Sequence, residues 1–414
     1  MSFIIAAPAS GSGKTTITLG LLRAISRIIP IRAAKSGPDY IDPRFHEAAC
    51  GQPCLNLDAW AMAPDRIVAL AAGDTPLIIE GAMGLFDGAP PDGKGATADL
   101  ARILNLPVIL IIDAAKMAGS VAAIAKGFIA HDPNVAIAGI ILNNVGSPRH
   151  ETMLRHALGD IPVFGAVPRR INLTQPSRHL GLIQAQERPD LETYLDDAAD
   201  LIGTALDIDA LMKLAKPLPS HKGRRLEPPA QSIAIAQDEA YAFTYPHILN
   251  DWRAGGAALA FFSPLNNDPA PRADLIYLPG GYPELHAGRL AANTVFLNSL
   301  RNSDARIYGE CGGYMTLGQT LTDADGATHQ MAGLLPLDTS FANRRLHLGY
   351  RSLHATVGPF PGRWTAHEFH YATTLRAEGT PLFTVEDAEG TTLPPAGLIQ
   401  NNVAGSFAHI IDRA

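Results

Sequence analysis

The sequence predicts an α/β protein made of two successive domains, each organised around a largely parallel sheet. The chain has 414 residues, which is more than one ordinary hydrophobic core accommodates. Short apolar runs alternate with helix-length segments in both halves, which is the pattern of a doubly wound sheet. A proline-rich stretch without apolar periodicity separates the two halves, as expected of a linker.

The first domain is expected over residues 1–215, and the linker over residues 216–230. The predicted strands of this domain are short apolar runs: Phe3–Ala7, Leu77–Ile79, Val108–Ile112, Ile137–Leu142 and Val163–Val167. A weakly apolar helix is predicted from Leu201 to Leu214. The linker contains four prolines and several charges, which are unfavourable in the middle of a helix or strand.

The second domain is expected over residues 231–414 and begins again with a strand. Its predicted parallel strands are Ser232–Ala236, Ala257–Phe261, Leu275–Leu278 and Arg306–Tyr308. From about Leu335 the apolar runs become shorter and turn residues more frequent. This change predicts antiparallel strands packed beside the second parallel sheet.

Composition and charge exclude several classes of function. Hydrophobic residues make up 47% and charged residues 18%, which is typical of a globular protein. A net charge of -7 argues against nucleic acid or an anionic membrane as partner. Three cysteines, Cys50, Cys54 and Cys311, give no disulfide framework and suit a reducing compartment. The apolar start of the chain is interpreted as a buried strand and not a signal peptide, so a cytoplasmic location is expected.

Residues 8–15 match most of the phosphate-binding loop pattern, in which Gly and four residues precede Gly-Lys-Ser/Thr. Pro8 stands at the first Gly position, which is a departure. Gly11 and Gly13 allow backbone amides to face a phosphate, Lys14 reaches the β- and γ-phosphates, and Thr15 suits Mg²⁺. The alternative is an ordinary strand–loop–helix turn.

The segments around the loop favour nucleotide binding. A predicted strand precedes the loop, and an amphipathic helix follows, with its N-terminus directed at the anion. The buried face of this helix is predicted to contain Ile17, Leu21, Ile25 and Ile28. The predicted ATP-binding residues are Ser10, Gly11, Ser12, Gly13, Lys14, Thr15, Thr16 and Asn143.

Acidic and polar side chains follow other strands of the first domain, at the edge where a nucleotide would bind. Glu80 ends a buried strand, where a carboxylate needs a partner or a metal. Asp113 is a weaker candidate, since it also suits a helix cap. The segment from Lys35 to Asp42 is either a fixed turn or a site for Mg²⁺ and an anionic substrate. Asn143 suits recognition of adenine or an ordinary strand end.

A cysteine in the second domain has the spacing of a nucleophile elbow. Gly309 and Gly313 flank Cys311 as Gly-x-nucleophile-x-Gly, between a predicted strand and a helix. The helix N-terminus is expected to lower the thiol pKa, and the N–H of Gly312 to bind an oxyanion. The Gly-Gly turn at Gly281 is the expected source of a second donor. The alternative is a buried structural cysteine.

A thiol nucleophile requires a base, and the sequence offers 14 histidines. His409 lies near the C-terminus, in a segment that could end a last strand beside the elbow. His367 and His370 are its competitors. The sequence alone does not choose among the three.

These motifs together resemble the cobyrinic and hydrogenobyrinic acid a,c-diamide synthases, which are ATP-dependent glutamine amidotransferases of cobalamin biosynthesis. The resemblance covers nearly the whole chain. It rests on seven segments in one order: Ser10–Thr16, Lys35–Pro43, Glu80–Gly88, Pro279–Glu284, Gly309–Met315, Gly349–Arg351 and His367–Tyr371.

The resemblance implies a fold and a set of site residues. The first domain would be a P-loop domain of the dethiobiotin synthetase type, and the second a class I glutamine amidotransferase-like α/β domain. Cys311 would be the nucleophile and His409 its base, with Gly281 and Gly312 as oxyanion donors. The implied Mg²⁺ ligands are Thr15, Asp39 or Asp42, and Glu80. The implied substrate-binding residues are Lys35, Asp39, Tyr40, Asp42, Arg344, Tyr350, Arg351 and His370.

The second domain departs from related enzymes at two positions. Amidotransferases with a catalytic triad carry Glu two residues after the histidine, where this chain has Ile411. The a,c-diamide synthases usually show His-x-His at this point, and only the first histidine is present. A Cys–His dyad is therefore expected instead of a triad.

The activity implied is amidation of the a and c carboxylates of hydrogenobyrinic or cobyrinic acid, through an acyl phosphate, with ATP and glutamine as the other substrates. The metal-free ring is slightly preferred, and a homodimer is one expectation for the assembly. Cobyric acid synthase and Ni-sirohydrochlorin a,c-diamide synthase are enzymatic alternatives. A P-loop assembly ATPase with a non-catalytic C-terminal domain and a glutamine-sensing module are the non-amidating ones.

Overall fold

The computed structural model describes residues 2–169, 177–178, 181–218 and 223–414. The chain divides into two compact units, Met1–Arg224 and Arg225–Ala414. The finer division into residues 1–215, 216–230 and 231–414 stays a prediction. Among the described residues, no helix combines the length and the apolar character that a membrane span requires.

The first unit contains a seven-stranded sheet in which all neighbouring strands are parallel. The strands are β1 (Ser2–Ala6), β2 (Arg32–Ser36), β3 (Leu55–Leu57), β4 (Leu77–Glu80), β5 (Val108–Asp113), β6 (Ile137–Val145) and β7 (Val163–Pro168). Their order is β3-β2-β4-β1-β5-β6-β7. The short strands β8 (Ser177–Arg178) and β9 (Gly181–Leu182) form a separate antiparallel pair. The doubly wound parallel sheet predicted from the sequence is confirmed.

Helices connect these strands. They are α1 (Lys14–Ser26), α2 (Asp42–Cys50), α3 (Pro64–Ala71), α4 (Thr97–Leu104), α5 (Val121–His131), α6 (Pro148–Leu158), α7 (Leu191–Ala205) and α8 (Ile208–Leu214). Helix α1 approaches α7 closely at Gly20, where an added Cβ would lie 2.6 Å from the Ala198 carbonyl oxygen. The apolar stripe of α1 and the inner faces of the strands form the core.

Two local predictions for the first unit are wrong. Ile28 lies beyond the end of α1 and is 80% exposed, because the helix ends at Ser26 before its stripe reaches that position. The helix predicted from Leu201 to Leu214 is two helices. The helix is interrupted at Leu206, which forms an isolated β-bridge with Gly165, and the Asp207 side chain caps α8.

The second unit begins with a sheet of six strands and continues with two antiparallel or mixed sheets. Its strands are β10 (Ser232–Ala236), β11 (Ala258–Phe262), β12 (Leu275–Leu278), β13 (Arg306–Glu310), β14 (Thr320–Thr322), β15 (Thr328–Gln330), β16 (Leu337–Ser340), β17 (His347–Ala355), β18 (Gly362–His370), β19 (Thr373–Ala377), β20 (Phe383–Glu386), β21 (Thr392–Ala396), β22 (Leu398–Gln400), β23 (Val403–Ser406) and β24 (Ala408–Arg413). The six-stranded order is β11-β10-β12-β13-β23-β22, parallel except for the last pair.

The remaining strands form sheets β15-β14-β16-β19 and β21-β20-β17-β18-β24. The helices of this unit are α9 (Pro246–Ala254), α10 (Ala287–Ala292), α11 (Thr294–Arg301) and α12 (Gly312–Leu317). The antiparallel strands expected after about Leu335 are therefore confirmed. The α/β fold class holds for both units, and the carboxyl ends of β12, β13 and β23 meet where the cysteine elbow lies.

Candidate functional site

The phosphate-binding loop lies between β1 and α1 with the predicted backbone geometry. Gly11 and Gly13 have φ of 77° and 87°, in the left-handed region that favours glycine. An added Cβ on Gly13 would lie 2.1 Å from the side-chain nitrogen of Asn143. The Asn143 amide donates to the Ser12 carbonyl oxygen at 2.9 Å. Asn143 therefore holds the loop from beneath, a contact that the adenine interpretation did not anticipate.

The loop faces an open cavity of about 680 Å³ within the first unit. Predicted residues that line it are Ser10, Gly11, Gly13, Lys14, Thr15, Thr16, Lys35, Asp39, Asp42, Glu80 and Asn143. Tyr40 is buried but is not part of this lining. Lys14 donates to the Met83 carbonyl oxygen at 2.5 Å, and burial lowers the pKa of its ammonium. The cavity brings the nucleotide motif and the acidic residues together.

A buried ionic cluster forms one wall of this cavity. The Lys35 ammonium donates to Asp42 at 2.6 Å and to Glu80 at 2.8 Å. The Thr15 hydroxyl donates to Glu80 at 2.8 Å and lies 3.4 Å from Asp42. Burial opposes the charge on Lys35, yet the two carboxylates raise its pKa well above the ordinary value. These are oxygen ligands of the kind that Mg²⁺ prefers, so Thr15, Asp42 and Glu80 fit that ion.

The two aspartates of this segment have different surroundings. One Asp39 carboxylate oxygen accepts from the backbone N–H groups of Ile41 and Asp42 at 2.9 and 3.0 Å, at the start of α2. Its other oxygen lies 3.8 Å from the Lys35 ammonium. Asp42 instead reaches both Lys35 and Thr15. The geometry therefore favours Asp42 over Asp39 as the metal ligand.

His46 is a member of the cluster that the sequence analysis missed. Its Nε2 lies 2.6 Å from Glu80 and its Nδ1 lies 3.7 Å from the Cys54 thiol, all fully buried. Burial opposes ionisation of Glu80, but Lys35 and His46 hold the pKa of its carboxyl below the ordinary value. The available signal was spacing, because His46 lies one helical turn after Asp42.

Asp113 lies elsewhere in the first unit. Its carboxylate accepts from the Ala115 backbone N–H at 3.0 Å and from the Asn144 side chain at 3.1 Å. It does not line the cavity. These contacts form a local turn, and α5 begins only at Val121 with Ser120 as its N-cap, so they correspond to neither the metal role nor the helix cap.

The cysteine elbow of the second unit has the strained geometry that its sequence predicts. Cys311 has φ 45° and ψ -100° and stands between β13 and α12. An added Cβ on Gly313 would lie 1.9 Å from the Leu278 carbonyl oxygen, so only glycine fits there. A Cβ on Gly312 would lie 3.1 Å from the backbone nitrogen of Gly281. The two predicted oxyanion donors are thus neighbours.

The expectation of a lowered thiol pKa is wrong. Burial raises the pKa of Cys311, and the nearby Glu284 carboxylate acts in the same direction. The hydrogen bond from Gly312 opposes this effect without overcoming it. Helix α12 has only six residues, so its dipole is small. Burial therefore favours the thiol form of Cys311 over the thiolate.

His409 packs against the loop that carries the second oxyanion donor. A Cβ on Gly280 would lie 2.2 Å from Cε1 of the His409 ring. Burial lowers the pKa of His409 to about 3, helped by His367 and His370. The ring is therefore neutral at rest, as a base must be.

The competing histidines have other surroundings. His367 pairs with His409 across β18 and β24. His370 lies 2.9 Å from Glu368 through Nε2 and 3.1 Å from the Ala372 carbonyl oxygen through Nδ1. Its ring also stacks on Phe407, with centroids 3.9 Å apart. These contacts favour His409 as the base.

Some of the residues predicted to bind a polyanionic substrate are exposed, whereas others are already engaged in contacts within the protein. Arg344 is exposed just before β17, and the Tyr350 ring lies against His367 with centroids 5.3 Å apart. Arg351 instead donates to Glu368 at 2.8 Å. His347, Glu368 and His370 also bring three potential metal ligands within 4.8 Å of one another. Because Arg351 already neutralises Glu368, the arrangement favours an ion-pair network over a cation site.

Glu310 is the second residue that the sequence analysis missed. It precedes Cys311 and is buried, and its carboxyl lies 3.7 Å from Nδ1 of His409. Burial raises the pKa of Glu310 to about 8, opposed by the hydrogen bond from Tyr277. The signal was a glutamate at the end of a strand that is otherwise apolar.

Comparison with known proteins gives matches to both units. Residues 3–183 match the family model described as CobQ/CobB/MinD/ParA nucleotide binding domain. Residues 232–413 match the CobB/CobQ-like glutamine amidotransferase domain. The two matches correspond to the P-loop unit and the cysteine-elbow unit.

Full-length relatives narrow the family further. The hydrogenobyrinate a,c-diamide synthase of Brucella abortus is 53% identical over 428 residues, covering 99% of this chain and 98% of the relative. Proteins of the same name from Rhizobium meliloti and Rhodobacter capsulatus are 52% and 49% identical, and each alignment covers at least 98% of both chains. The resemblance drawn from seven sequence segments is confirmed. The chain belongs to the hydrogenobyrinate a,c-diamide synthase family.

Proposed function

We propose that this protein amidates the a and c carboxylates of hydrogenobyrinic acid, using ammonia released from glutamine and energy from ATP. The observation that carries the proposal is the convergence of Cys311, the Gly281–Gly312 pair and His409 in a chain that also has a phosphate-binding loop ending in Gly-Lys-Thr. The names of the full-length relatives support hydrogenobyrinic acid as the substrate.

Glutamine hydrolysis is assigned to the second unit. The Cys311 sulfur attacks the side-chain carbonyl carbon of glutamine while its proton passes to Nε2 of His409. The N–H groups of Gly281 and Gly312 stabilise the oxyanion. His409 then protonates the departing nitrogen, which leaves as ammonia, and a glutamyl thioester remains. Water activated by His409 hydrolyses this thioester to glutamate and restores the thiol.

Carboxylate activation is assigned to the first unit. A carboxylate oxygen of the corrin attacks the γ-phosphorus of ATP, and ADP leaves. Ammonia then attacks the acyl carbon, and phosphate leaves as the amide forms. Lys14 and the loop amides hold the phosphates, while Lys35 lies where it can contact the transferred group. Mg²⁺, held by Thr15, Asp42 and Glu80, would neutralise phosphate charge.

Several finer assignments belong to this proposal. They are Mg²⁺ as cofactor, Arg344 and Tyr350 as contacts for the corrin carboxylates, and a cytoplasmic location. A homodimer stays a prediction. Measuring the molar mass in solution by light scattering tests it directly. Arg351 and His370 are assigned a different role, since both form hydrogen bonds with Glu368 and hold its carboxylate in place.

The decisive experiment compares wild type with Cys311→Ser in the presence of ATP and Mg²⁺. Hydrogenobyrinic and cobyrinic acid are supplied in turn, with either glutamine or ammonium as nitrogen donor. We expect a diamide from wild type with both donors, and from Cys311→Ser with ammonium only. Cys50→Ser, a matched change of another buried cysteine, is expected to keep both activities.

Two results would contradict parts of the proposal. If wild type hydrolyses glutamine but amidates neither corrin, the substrate assignment is wrong while the amidotransferase class stands. If Cys311→Ser forms the diamide from glutamine at the same rate as wild type, the assignment of Cys311 as the nucleophile is wrong. A glutamyl thioester that accumulates without ATP turnover would instead favour a glutamine-sensing module.

A further inference from the structure

The strand that precedes the proposed nucleophile, β13, ends in a buried carboxyl group. Glu310 is only 3% exposed. The Tyr277 hydroxyl donates to its Oε2 at 2.7 Å, and the Ile410 backbone N–H donates to its Oε1 at 3.2 Å. Two donors on one buried carboxyl group fix its orientation and favour its ionised form, which partly offsets the burial that raises its pKa to about 8.

This carboxyl group faces the proposed base. Its Oε2 lies 3.7 Å from Nδ1 of His409, and His409 is only 1% exposed. The distance exceeds that of a hydrogen bond, but contacts among catalytic groups are often long without substrate and tighten in the reacting complex. The Ile410 N–H that holds Glu310 follows His409 directly in β24. The orientation of the carboxyl group is therefore coupled to the strand that carries the base.

The position at which triad enzymes carry their glutamate does not supply a carboxylate here. Ile411 is fully buried, and its carbonyl oxygen lies 2.8 Å from Nε2 of His247. The register of β18 with β24 shifts at this point, because Thr365 pairs with Asp412 and Ala366 with Ile410. Ile411 is thus the extra residue of a bulge.

The other nearby carboxylate is already engaged. Glu368 receives hydrogen bonds from Arg351 at 2.8 Å and from His370 at 2.9 Å. A carboxylate paired with a guanidinium has less negative charge to offer a third group. Among the residues that the structure describes, the hydrogen-bond donors to Glu310 are the neutral Tyr277 hydroxyl and Ile410 N–H. Of these two carboxyl groups, Glu310 is the better partner for a cationic imidazole.

We propose that Glu310 is the positioning residue for glutamine hydrolysis, replacing in space the glutamate that the sequence lacks at position 411. When the Cys311 proton moves to Nε2 of His409, the proton on Nδ1 stays in place and its N–H donates to the Glu310 carboxylate. The ring keeps one orientation and its positive charge is stabilised. The inference rests on the proposed function of Cys311 and His409.

The test uses full-length protein with ATP, Mg²⁺ and hydrogenobyrinic acid, and measures glutamate release and amide formation. Glu310→Gln keeps the size and the acceptor oxygen but removes the charge. We expect its kcat for glutamine to fall about 10- to 100-fold, with KM for glutamine within about twofold. Glu310→Asp, which restores a carboxylate at shorter reach, is expected to recover part of the loss.

The matched control is Asp251→Asn, another change of a buried carboxylate to an amide within the second unit. Asp251 accepts from the Leu226 backbone N–H at 2.9 Å and has no role in the proposed chemistry. Its kcat is expected to stay within about twofold of wild type. This comparison separates loss of a charge at the site from loss of folded protein.

Two outcomes overturn the inference. One is a Glu310→Gln variant with wild-type kcat. The other is equal losses in Glu310→Gln and Glu310→Asp with a parallel rise in KM, which would indicate a structural role. In both cases wild type still hydrolyses glutamine, so the proposed function survives. Absence of glutamine hydrolysis in wild type is a different pattern, which overturns the proposed function and this inference together.

Discussion

The Lys35 ammonium lies 2.8 Å from a carboxylate oxygen of Glu80, and both side chains are buried beneath the phosphate-binding loop. Asp42 completes the arrangement at 2.6 Å from the same ammonium. One buried cation thus holds two carboxylates that would otherwise repel each other. The cluster holds two carboxylates of the proposed Mg²⁺ site in place.

Removing this cation is expected to destabilise the first unit. Lys35→Met keeps most of the side-chain volume but leaves Glu80 and Asp42 buried with uncompensated charge. We expect the free energy of unfolding to fall by about 3 kcal/mol. Urea unfolding measures the loss, and hydrogen exchange in β4 peptides assigns it to this unit.

The control for this change is Lys126→Met on the exposed side of α5, which is expected to alter stability by less than about 0.5 kcal/mol. Adding Mg²⁺ should narrow the gap between Lys35→Met and wild type, because a second cation can replace the lost charge. Equal, small effects of the two lysine variants would show that the cluster does not depend on Lys35.

The Mg²⁺ requirement should depend on Glu80 and not on Asp113. Glu80→Gln is expected to raise the Mg²⁺ concentration for half-maximal amidation at least about tenfold, since even indirect support of a metal ligand matters that much. Chelation of Mg²⁺ should stop amidation in wild type. Asp113→Asn, at the end of β5 in the same sheet, is expected to leave the requirement unchanged. Matching shifts in both variants would place the ion elsewhere.

The two glycines of the phosphate-binding loop should differ in their tolerance of a methyl group. Gly11 and Gly13 both have positive φ, which costs alanine about 1 kcal/mol. Only at Gly13 would the new Cβ also collide with Asn143, at 2.1 Å; none of the described atoms lies within 4 Å of a Cβ on Gly11. Gly13→Ala is therefore expected to raise KM for ATP at least about tenfold, and Gly11→Ala by about fivefold.

A double variant tests whether the collision is the cause. Asn143→Ala removes the side chain that the methyl group would meet, so Gly13→Ala with Asn143→Ala should bind ATP better than Gly13→Ala alone. If the two substitutions only add their losses, the close contact is not what makes Gly13 necessary.

Local patterns in the sequence predict the geometry of the phosphate-binding loop and of the cysteine elbow, but not the side-chain contacts around them. The loop at Gly13 and the elbow at Cys311 can be recognised from short runs of consecutive residues, because their backbone geometry requires glycine at fixed spacing. His46 and Glu310 act through space on Glu80 and His409. Spacing and strand position single these two residues out, but they do not show which groups the side chains face. That depends on how α2 and the strands pack together.

Electrostatics was predicted less well than geometry, and Cys311 shows why. The sequence indicates a helix N-terminus, which favours a thiolate, and the structure has that helix. Burial of the thiol is a property of the packed unit and acts in the opposite direction. The shift of Ile28 from a predicted buried face to solvent has the same origin, since where a helix ends depends on its surroundings.

The stability of the second unit should decrease in mild acid because of His367. Burial and the nearby Arg351 lower the pKa of His367 to about 4, from an ordinary value of 6.5. Below pH 6.5 the unfolded chain binds a proton at this residue, whereas the folded unit does not bind it until the pH approaches 4. Stability from the neutral ring is therefore complete above pH 6.5 and is lost progressively as the pH falls towards 4. We expect a loss of up to about 3 kcal/mol across this window.

Thermal unfolding of wild type and His367→Gln at pH 7.5, 6, 5 and 4.5 measures this loss, and the variant should show the flatter profile. His354→Gln, an exposed change on β17, should follow wild type, whereas identical slopes for wild type and His367→Gln would assign the acid sensitivity to other residues such as His409.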